Sequence, residues 1–384
     1  MSRPLGPALR TGLFYTVLFM PAAVSMVYLG PWLAHSGLGD PQIALINAAP
    51  ILALLVISLA VGRLADRAQD WRQVIVMATW ASGVLAIGLF WAEGFWPILI
   101  VWTLTTMTQF GVVPVLDAAA LRMSTRSGAD FGTLRAWGTI GFLVMLVGTG
   151  YLALWFGPVV FLPLFVSIGL FRAVVALGLP AFRAPAEAAP TGGATRLRQV
   201  MRPWFLLPLA GWALIHASHF NMNVFQALIW ERQGIRVDVI GLLVALAALS
   251  EAAMFFLFFR FSARLRARTW ILISALVTAL RWAAMAFAPG IGWLILLQSL
   301  HGITYGLGFL ACTLFIANWT SEDIAAEAQG FFVTLQQGMS VASVTLFGLM
   351  LTGWDEAAFW LGALLAAVGS LAIAASLRLR PPEG

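Results

Sequence analysis

The sequence predicts an all-α membrane protein of twelve transmembrane helices in two six-helix bundles, with both termini cytoplasmic. Three observations carry that reading. Of 384 residues, 61% are hydrophobic and 10% are charged, where a soluble domain carries about 25% charged residues. A water-soluble chain of this length needs a charged shell, and too few charges are present to make one. Mean hydropathy is +0.91, so the apolar surplus must face lipid. Apolar runs of about 20 residues, the length of a spanning helix, recur along the chain. The basic residues fall on alternate loops between those runs.

Taken in order, the spans are expected at 11–34, 41–62, 73–92, 96–121, 132–156 and 159–180. A polar stretch rich in Ala, Pro, Gly and Thr follows at 181–202. The second set is expected at 204–230, 238–259, 269–288, 291–317, 327–353 and 356–378. The domain plan is therefore 1–180, a cytoplasmic linker at 181–202, and 203–384. The first run is too long for a signal-peptide core and passes Pro31 and Trp32 without a small-residue cleavage pattern. Pro21, Pro50, Pro114 and Pro208 fall inside spans, which membrane helices tolerate because neighbours satisfy the freed backbone groups. Gly302, Gly306 and Gly308 read as close helix packing. Trp32, Trp96, Trp230, Trp293, Trp319 and Trp354 lie near span ends and read as interface anchors.

Orientation follows from arginine, which supplies all 22 basic residues. The N-terminus, the loops after even-numbered spans and the C-terminal end hold nearly all of them, including Arg172 and Arg183 at the sixth. The opposite side keeps Arg232 and Arg236, and Arg281 lies within a span. That bias places both termini in the cytoplasm and requires an even span count.

The same features exclude other classes. The sequence pI near 10.6 would suggest nucleic acid in a soluble protein, but these arginines sit in short loops, so no nucleic-acid partner is expected. The single Cys312 leaves no intrachain disulfide and no multi-cysteine metal site. A phosphate-binding G-x-x-x-x-G-K-[ST] loop and a nucleophile–base pair are both missing, so neither an ATP-driven pump nor an enzyme is expected, and no cofactor.

Several stretches carry a family resemblance. Gly62 to Arg67, with Asp66 and Arg67 closing it, resembles the G-x-x-x-D-R loop of the major facilitator superfamily. Pro114-Val-Leu-Asp117-Ala, then Asp130-Phe-Gly-Thr-Leu-Arg135-Ala-Trp137-Gly, is similar to the branch that includes the 3-phenylpropionic acid transporter. So are Ile215-His216-Ala217, Ser250-Glu251, Leu280-Arg281-Trp282 and Leu297-Gln298-Ser-Leu-His301-Gly302. The resemblance implies two rocking six-helix halves around a mid-membrane site, in a bacterial inner membrane. It also implies kinship with lactose and nucleoside proton symporters, whose acid–base pairs lie on helices four, five, eight, nine and ten. Asp117, Arg135, Glu251, Arg281 and His301 match that placement by helix. The lactose type carries an acid one turn past its tenth-helix histidine, where this chain has Thr304-Tyr305; Glu251 is then the proton candidate.

The residues themselves support the same set. A charge at the bilayer centre costs on the order of 3 kcal/mol, so such groups face a cavity or pair with one another. Glu251 lies midway along an apolar span, with Arg281 and His301 at similar depth, and the three are expected to couple protons. A structural ion pair is the alternative for Glu251 and Arg281. Asp117 and Arg135 flank the fourth cytoplasmic loop near its inner mouth; with Asp66 and Arg67 they are expected to act as gate or helix lock. His216, His219 and Asn223 share one face of the seventh span, and with Gln298, Trp282 and Arg281 they are the expected substrate-binding set. Trp282 is expected to stack on an aromatic ligand or on the guanidinium of Arg281. A histidine pair alone makes no metal site, so none is expected. The expectation is a proton-coupled importer of a small organic solute. A buried arginine suits an anionic group, and the resemblance suggests an aromatic carboxylate. An exporter, a nucleoside or sugar symporter and a non-transporting sensor are the alternatives. The partners are solute, protons and the lipid bilayer, for a monomer.

Overall fold

The computed structural model describes residues 6–183 and 201–379; linker residues 184–200 lie outside them. Every regular element among the described residues is helical. The first expected span is two helices, α1 (Pro7–Leu18) and α2 (Met20–His35). They break at Phe19 because Pro21 has no N–H to donate back to Val17; the Phe19 amide turns to the Val17 carbonyl instead. α3 (Asp40–Arg67) and α4 (Trp71–Ile87) follow. The fourth span breaks in the same way before Pro114, giving α5 (Phe95–Gly111) and α6 (Val113–Ser127). α7 (Phe131–Phe156) and α8 (Phe161–Ala176) complete the first set.

The second set opens with α9 (Pro203–Arg232), α10 (Val237–Phe261) and α11 (Ala267–Met285). The tenth expected span is α12 (Ile291–Ser299), a π-helical turn (Gly302–Leu307) and α13 (Gly308–Trp319). α14 (Ala325–Trp354) and α15 (Phe359–Leu377) end the described chain. Among the described residues, nine helical stretches are long and apolar enough to cross a membrane. The expected spans outside that set are α8, only 16 residues long; α9, with its polar run; and α11, which holds Arg268 and Arg281.

The chain divides into two compact units. Unit 1 is Met1–Ala194 with Ser321–Phe331, and unit 2 is Thr195–Thr320 with Phe332–Gly384. Small residues set the helix contacts in each. In unit 1 a Cβ at Gly141 of α7 would overlap the Thr16 carbonyl of α1. In unit 2 a Cβ at Gly211 of α9 would lie 2.6 Å from the Gly369 carbonyl of α15, also an overlap. Trp32 is not an interface anchor: it packs against Phe161 at 5.1 Å inside the aromatic core of unit 1. Trp230 is also buried, whereas Trp96, Trp293 and Trp354 are well exposed, as anchors would be.

Candidate functional site

Unit 2 gathers a buried polar network around the π-turn. On α11, Ser274, Thr278 and Arg281 stand at four- and three-residue spacing, which puts them on one face. All three are buried. The face meets Thr304 in the π-turn. Arg281 Nη1 donates to Thr304 Oγ1 at 2.9 Å, and Ser274 Oγ donates to the Thr304 carbonyl at 3.1 Å. Arg281 Nη2 donates to Gln298 Oε1. From α9, His219 Nε2 lies 3.1 Å from Thr304 Oγ1. From α10, Glu251 Oε2 lies 3.3 Å from His301 Nε2. Glu251 and His301 are only partly buried, with side chains 17% and 14% exposed. Arg281, Gln298, Thr304 and His219 lie buried behind them.

Gly302 and Gly306 let α10 come this close. A Cβ on Gly302 would overlap the Ser250 carbonyl, and one on Gly306 would meet Glu251 Cγ at 3.4 Å. π-turns commonly mark functional sites, because one wide turn re-aims the side chains around it.

Donor and acceptor chemistry fixes both histidine tautomers. His219 Nδ1 is 2.9 Å from the Ile215 carbonyl, which only accepts, so Nδ1 carries the hydrogen. His219 Nε2 is then an acceptor, and the Thr304 hydroxyl donates to it. Arg281 Nη1 is 3.3 Å from His301 Nδ1. A guanidinium only donates, so this Nδ1 accepts and His301 Nε2–H points at Glu251. The expected Arg281 and Glu251 pairing therefore runs through an intervening imidazole. Two buried donors, Arg281 Nε and Gln298 Nε2, have no hydrogen-bond partner among the described residues.

Unit 1 holds a second polar set. Tyr15 Oη donates to Asp117 Oδ1 at 2.6 Å, and Arg135 Nε approaches the same oxygen at 3.8 Å. Arg135 also lies 4.7 Å over the Phe19 ring, at the break between α1 and α2. Asp117, expected near an incompletely buried mouth, is 4% exposed. Asp66 accepts from Trp71 Nε1 at 3.0 Å and from the backbone amides of Ala326 and Glu327 at 3.1 and 2.7 Å. It thereby serves the unpaired amides at the start of α14, where a carboxylate also meets the positive end of the helix dipole. Arg67 beside it is exposed.

The model of the MFS_1 like family matches residues 9–361. The chain belongs to the MFS_1 like family. It is a multi-pass membrane transporter, not an enzyme. It is similar to the probable 3-phenylpropionic acid transporter of Escherichia coli K12, 27% identical over 92% of this chain and 93% of the relative. Similarity to the maltose permease of Geobacillus stearothermophilus is also 27%, over 91% and 89%. Among solved structures, the E. coli fucose:proton symporter superposes with a TM-score of 0.74 at 16% identity, covering 96% of this chain and 98% of that one. That likeness shows the Major Facilitator Superfamily fold.

Within this MFS_1 like chain the expected residues divide. Glu251, Arg281, His301, Gln298 and His219 meet in one network. His216 joins its edge, with Nδ1 at 3.4 Å from Tyr305 Oη. Asn223 does not join; it is exposed on α9. Its buried neighbour Asn221 instead exchanges hydrogen bonds with Ser343 of α14, at 2.8 and 3.0 Å. Trp282 is fully buried, stacked on Phe359, and donates Nε1 to Ser218 at 2.8 Å. Of its two expected roles, it takes the guanidinium, with Arg281 4.7 Å over its ring. Among the described residues no group of His, Cys, Asp or Glu is arranged to hold a metal.

Sequence reasoning missed Thr304, Tyr15 and Arg172. Thr304 stands three residues past His301, and that spacing was the available signal. Arg172 was read as a loop charge, yet it is fully buried on α8. Its Nη1 donates to the Leu18 carbonyl at 3.3 Å, while Nε and Nη2 have no partner among the described residues.

Proposed function

We propose that the protein is a proton-coupled importer of a small organic anion, working by alternating access with Glu251 and His301 as its proton relay. The observation that carries this is the chain from Arg281 through His301 to Glu251, with its two proton-bearing members partly exposed. Arg281 holds the Nδ1 lone pair of His301, so a second proton can enter the imidazole only if the guanidinium withdraws. Proton arrival and movement of Arg281 are then one event. Such a linked pair can bias a two-state transporter, because a ligand shifts an equilibrium only through unequal binding to the two states.

An anionic solute is favoured by the two unpartnered donors on Arg281 and Gln298, since buried donors normally find acceptors. A carboxylate fits a guanidinium best. The relative named for 3-phenylpropionic acid supports an aromatic carboxylate. The maltose permease relative supports a sugar as the second reading. The roles of Asp117, Arg135 and Asp66 in this reading are locks within unit 1.

The deciding experiment is uptake in proteoliposomes under an imposed pH gradient, with a panel of aromatic carboxylates, sugars and nucleosides. Accumulation of a carboxylate only when the outside is acidic is the expected result. Accumulation under the opposite gradient reverses the direction, and accumulation indifferent to the gradient removes proton coupling.

A further inference from the structure

Thr304 is the residue on which the buried network converges. Its hydroxyl touches Arg281 of α11 at 2.9 Å and His219 of α9 at 3.1 Å. Its carbonyl receives Ser274 at 3.1 Å, and Thr278 Oγ1 stands at the same distance. The side chain is wholly buried. It occupies the π-turn, where Gly302 and Gly306 leave room for α10 to pack against it.

The titratable and charged groups around it are His216 and His219 on α9, Glu251 on α10, Arg281 on α11, and His301 and Tyr305 on the tenth span. Arg281 uses its Nη1 group on both Thr304 and His301. A guanidinium so fixed is aimed at the His301 nitrogen remote from Glu251. Without an acceptor at Thr304 the Nη1 group keeps only His301, and the cation, still tethered through Nη2 to Gln298, can turn about that tether towards the Glu251 carboxylate. At the same time the Thr304 hydrogen is what His219 Nε2 accepts. Removing it leaves that ring nitrogen buried without a donor.

We propose that Thr304 is the positioning residue of the proton relay: its hydroxyl, presented by the π-turn, holds Arg281 on His301 and off Glu251, and supplies the hydrogen that His219 Nε2 accepts. This rests on the proton-coupled reading above for its effect on transport, but not for its effect on the two side chains. Thr304 touches no solute in this scheme; it acts through Arg281.

The test compares Thr304→Val, which keeps the shape and loses the hydroxyl, with Thr304→Ser, which keeps the hydroxyl and loses the methyl. Two readouts are taken on the full-length protein in lipid bilayers. The first is the pH profile of solute counterflow and of gradient-driven uptake. A hydrogen bond from a charged group is worth about a factor of ten or more, so Thr304→Val is expected to lower gradient-driven accumulation about tenfold and to flatten the pH profile. Thr304→Ser is expected to restore both. The second readout is the nitrogen NMR of isotope-labelled histidine, with His219→Gln to assign the His219 signals. The protonated Nδ1 signature is expected in all three, held by the Ile215 carbonyl; the Nε2 signal is expected at its hydrogen-bonded position in the parent and in Thr304→Ser, and shifted in Thr304→Val.

Unchanged His219 nitrogens together with an unchanged pH profile in Thr304→Val overturn the proposal. A Thr304→Ser variant as defective as Thr304→Val overturns it too, because packing rather than the hydroxyl would then matter. A parent protein that moves no protons refutes the proposed function instead, and the nitrogen spectra then decide the positioning claim alone.

Discussion

Glu251 is the residue whose chemistry the network most exposes to test. It accepts from His301 and keeps part of its side chain open, the two features the proposed relay uses. Glu251→Gln keeps the shape and an acceptor oxygen but removes the titration. Solute-driven alkalinisation is expected to vanish in this variant, and proton uptake measured with a pH-sensitive dye checks it. Arg172 poses the opposite case. Its guanidinium is buried with one long hydrogen bond and, among the described residues, no carboxylate partner. Replacing even a buried ion pair by apolar side chains of similar volume is often neutral or stabilising, by about 1–4 kcal/mol, and an unmatched charge has less attraction to lose. Arg172→Met is therefore expected to hold or raise the melting temperature in detergent, whereas Arg172→Ala leaves a void and lowers it. The contrast explains what could be read at this scale from sequence. Glu251 and Arg281 are conspicuous because a charge amid apolar residues is costly. Arg172, a few residues from a helix end, looks the same as a loop arginine until α1 is seen to break beside it.

At the scale of elements, hydrophobic run length located the helices but not their interruptions. Pro21 and Pro114 were legible as tolerated prolines, and each turned out to divide a span in two. The π-turn had no comparable marker, since a run of glycines reads as close packing whether the backbone is α or π. Both readings hold in this case. A Cβ on Gly308 would overlap the indole of Trp212, itself fully buried on α9. Overpacking a filled core costs about 1–3 kcal/mol. Gly308→Ala is expected to lower thermal stability by that order, while Gly292→Ala, with nothing within 4 Å of its Cβ, leaves it unchanged or raises it. Thermal melts of the two variants side by side distinguish crowding from a general effect of removing glycine. The polar run on α9 shows the limit of helical periodicity. His219 and Asn221 turn inward to separate partners on the tenth span and α14, and Asn223 ends exposed. Spacing alone assigned a shared face without knowing which neighbours crossed it.

At the scale of the whole molecule, hydropathy and arginine bias were enough to predict a polytopic membrane protein, and no local rule could supply the contacts made across hundreds of residues. Asp66 illustrates this. The loop resemblance singled it out, but its amide partners lie at Ala326 and Glu327, both within unit 1. There the carboxylate does the work of an N-cap for α14, supplied from a distant part of the chain. Loss of a capping oxygen costs typically about 1 kcal/mol, up to 2, and removal of the negative charge forfeits a further dipole contribution of about 0.3–1 kcal/mol. Asp66→Ala is thus expected to lower stability by about 1–3 kcal/mol, and Asp66→Asn by the smaller, charge-dependent part. The neighbouring Arg63 and Glu327 ion pair offers the control. Its arginine is 56% exposed, and exposed pairs contribute about 0–1 kcal/mol because water and salt screen them. Arg63→Gln is expected to change the melting temperature little, and less still in high salt. If Arg63→Gln proves as damaging as Asp66→Ala, charge density near the start of α14 is what matters, and the capping account of Asp66 fails.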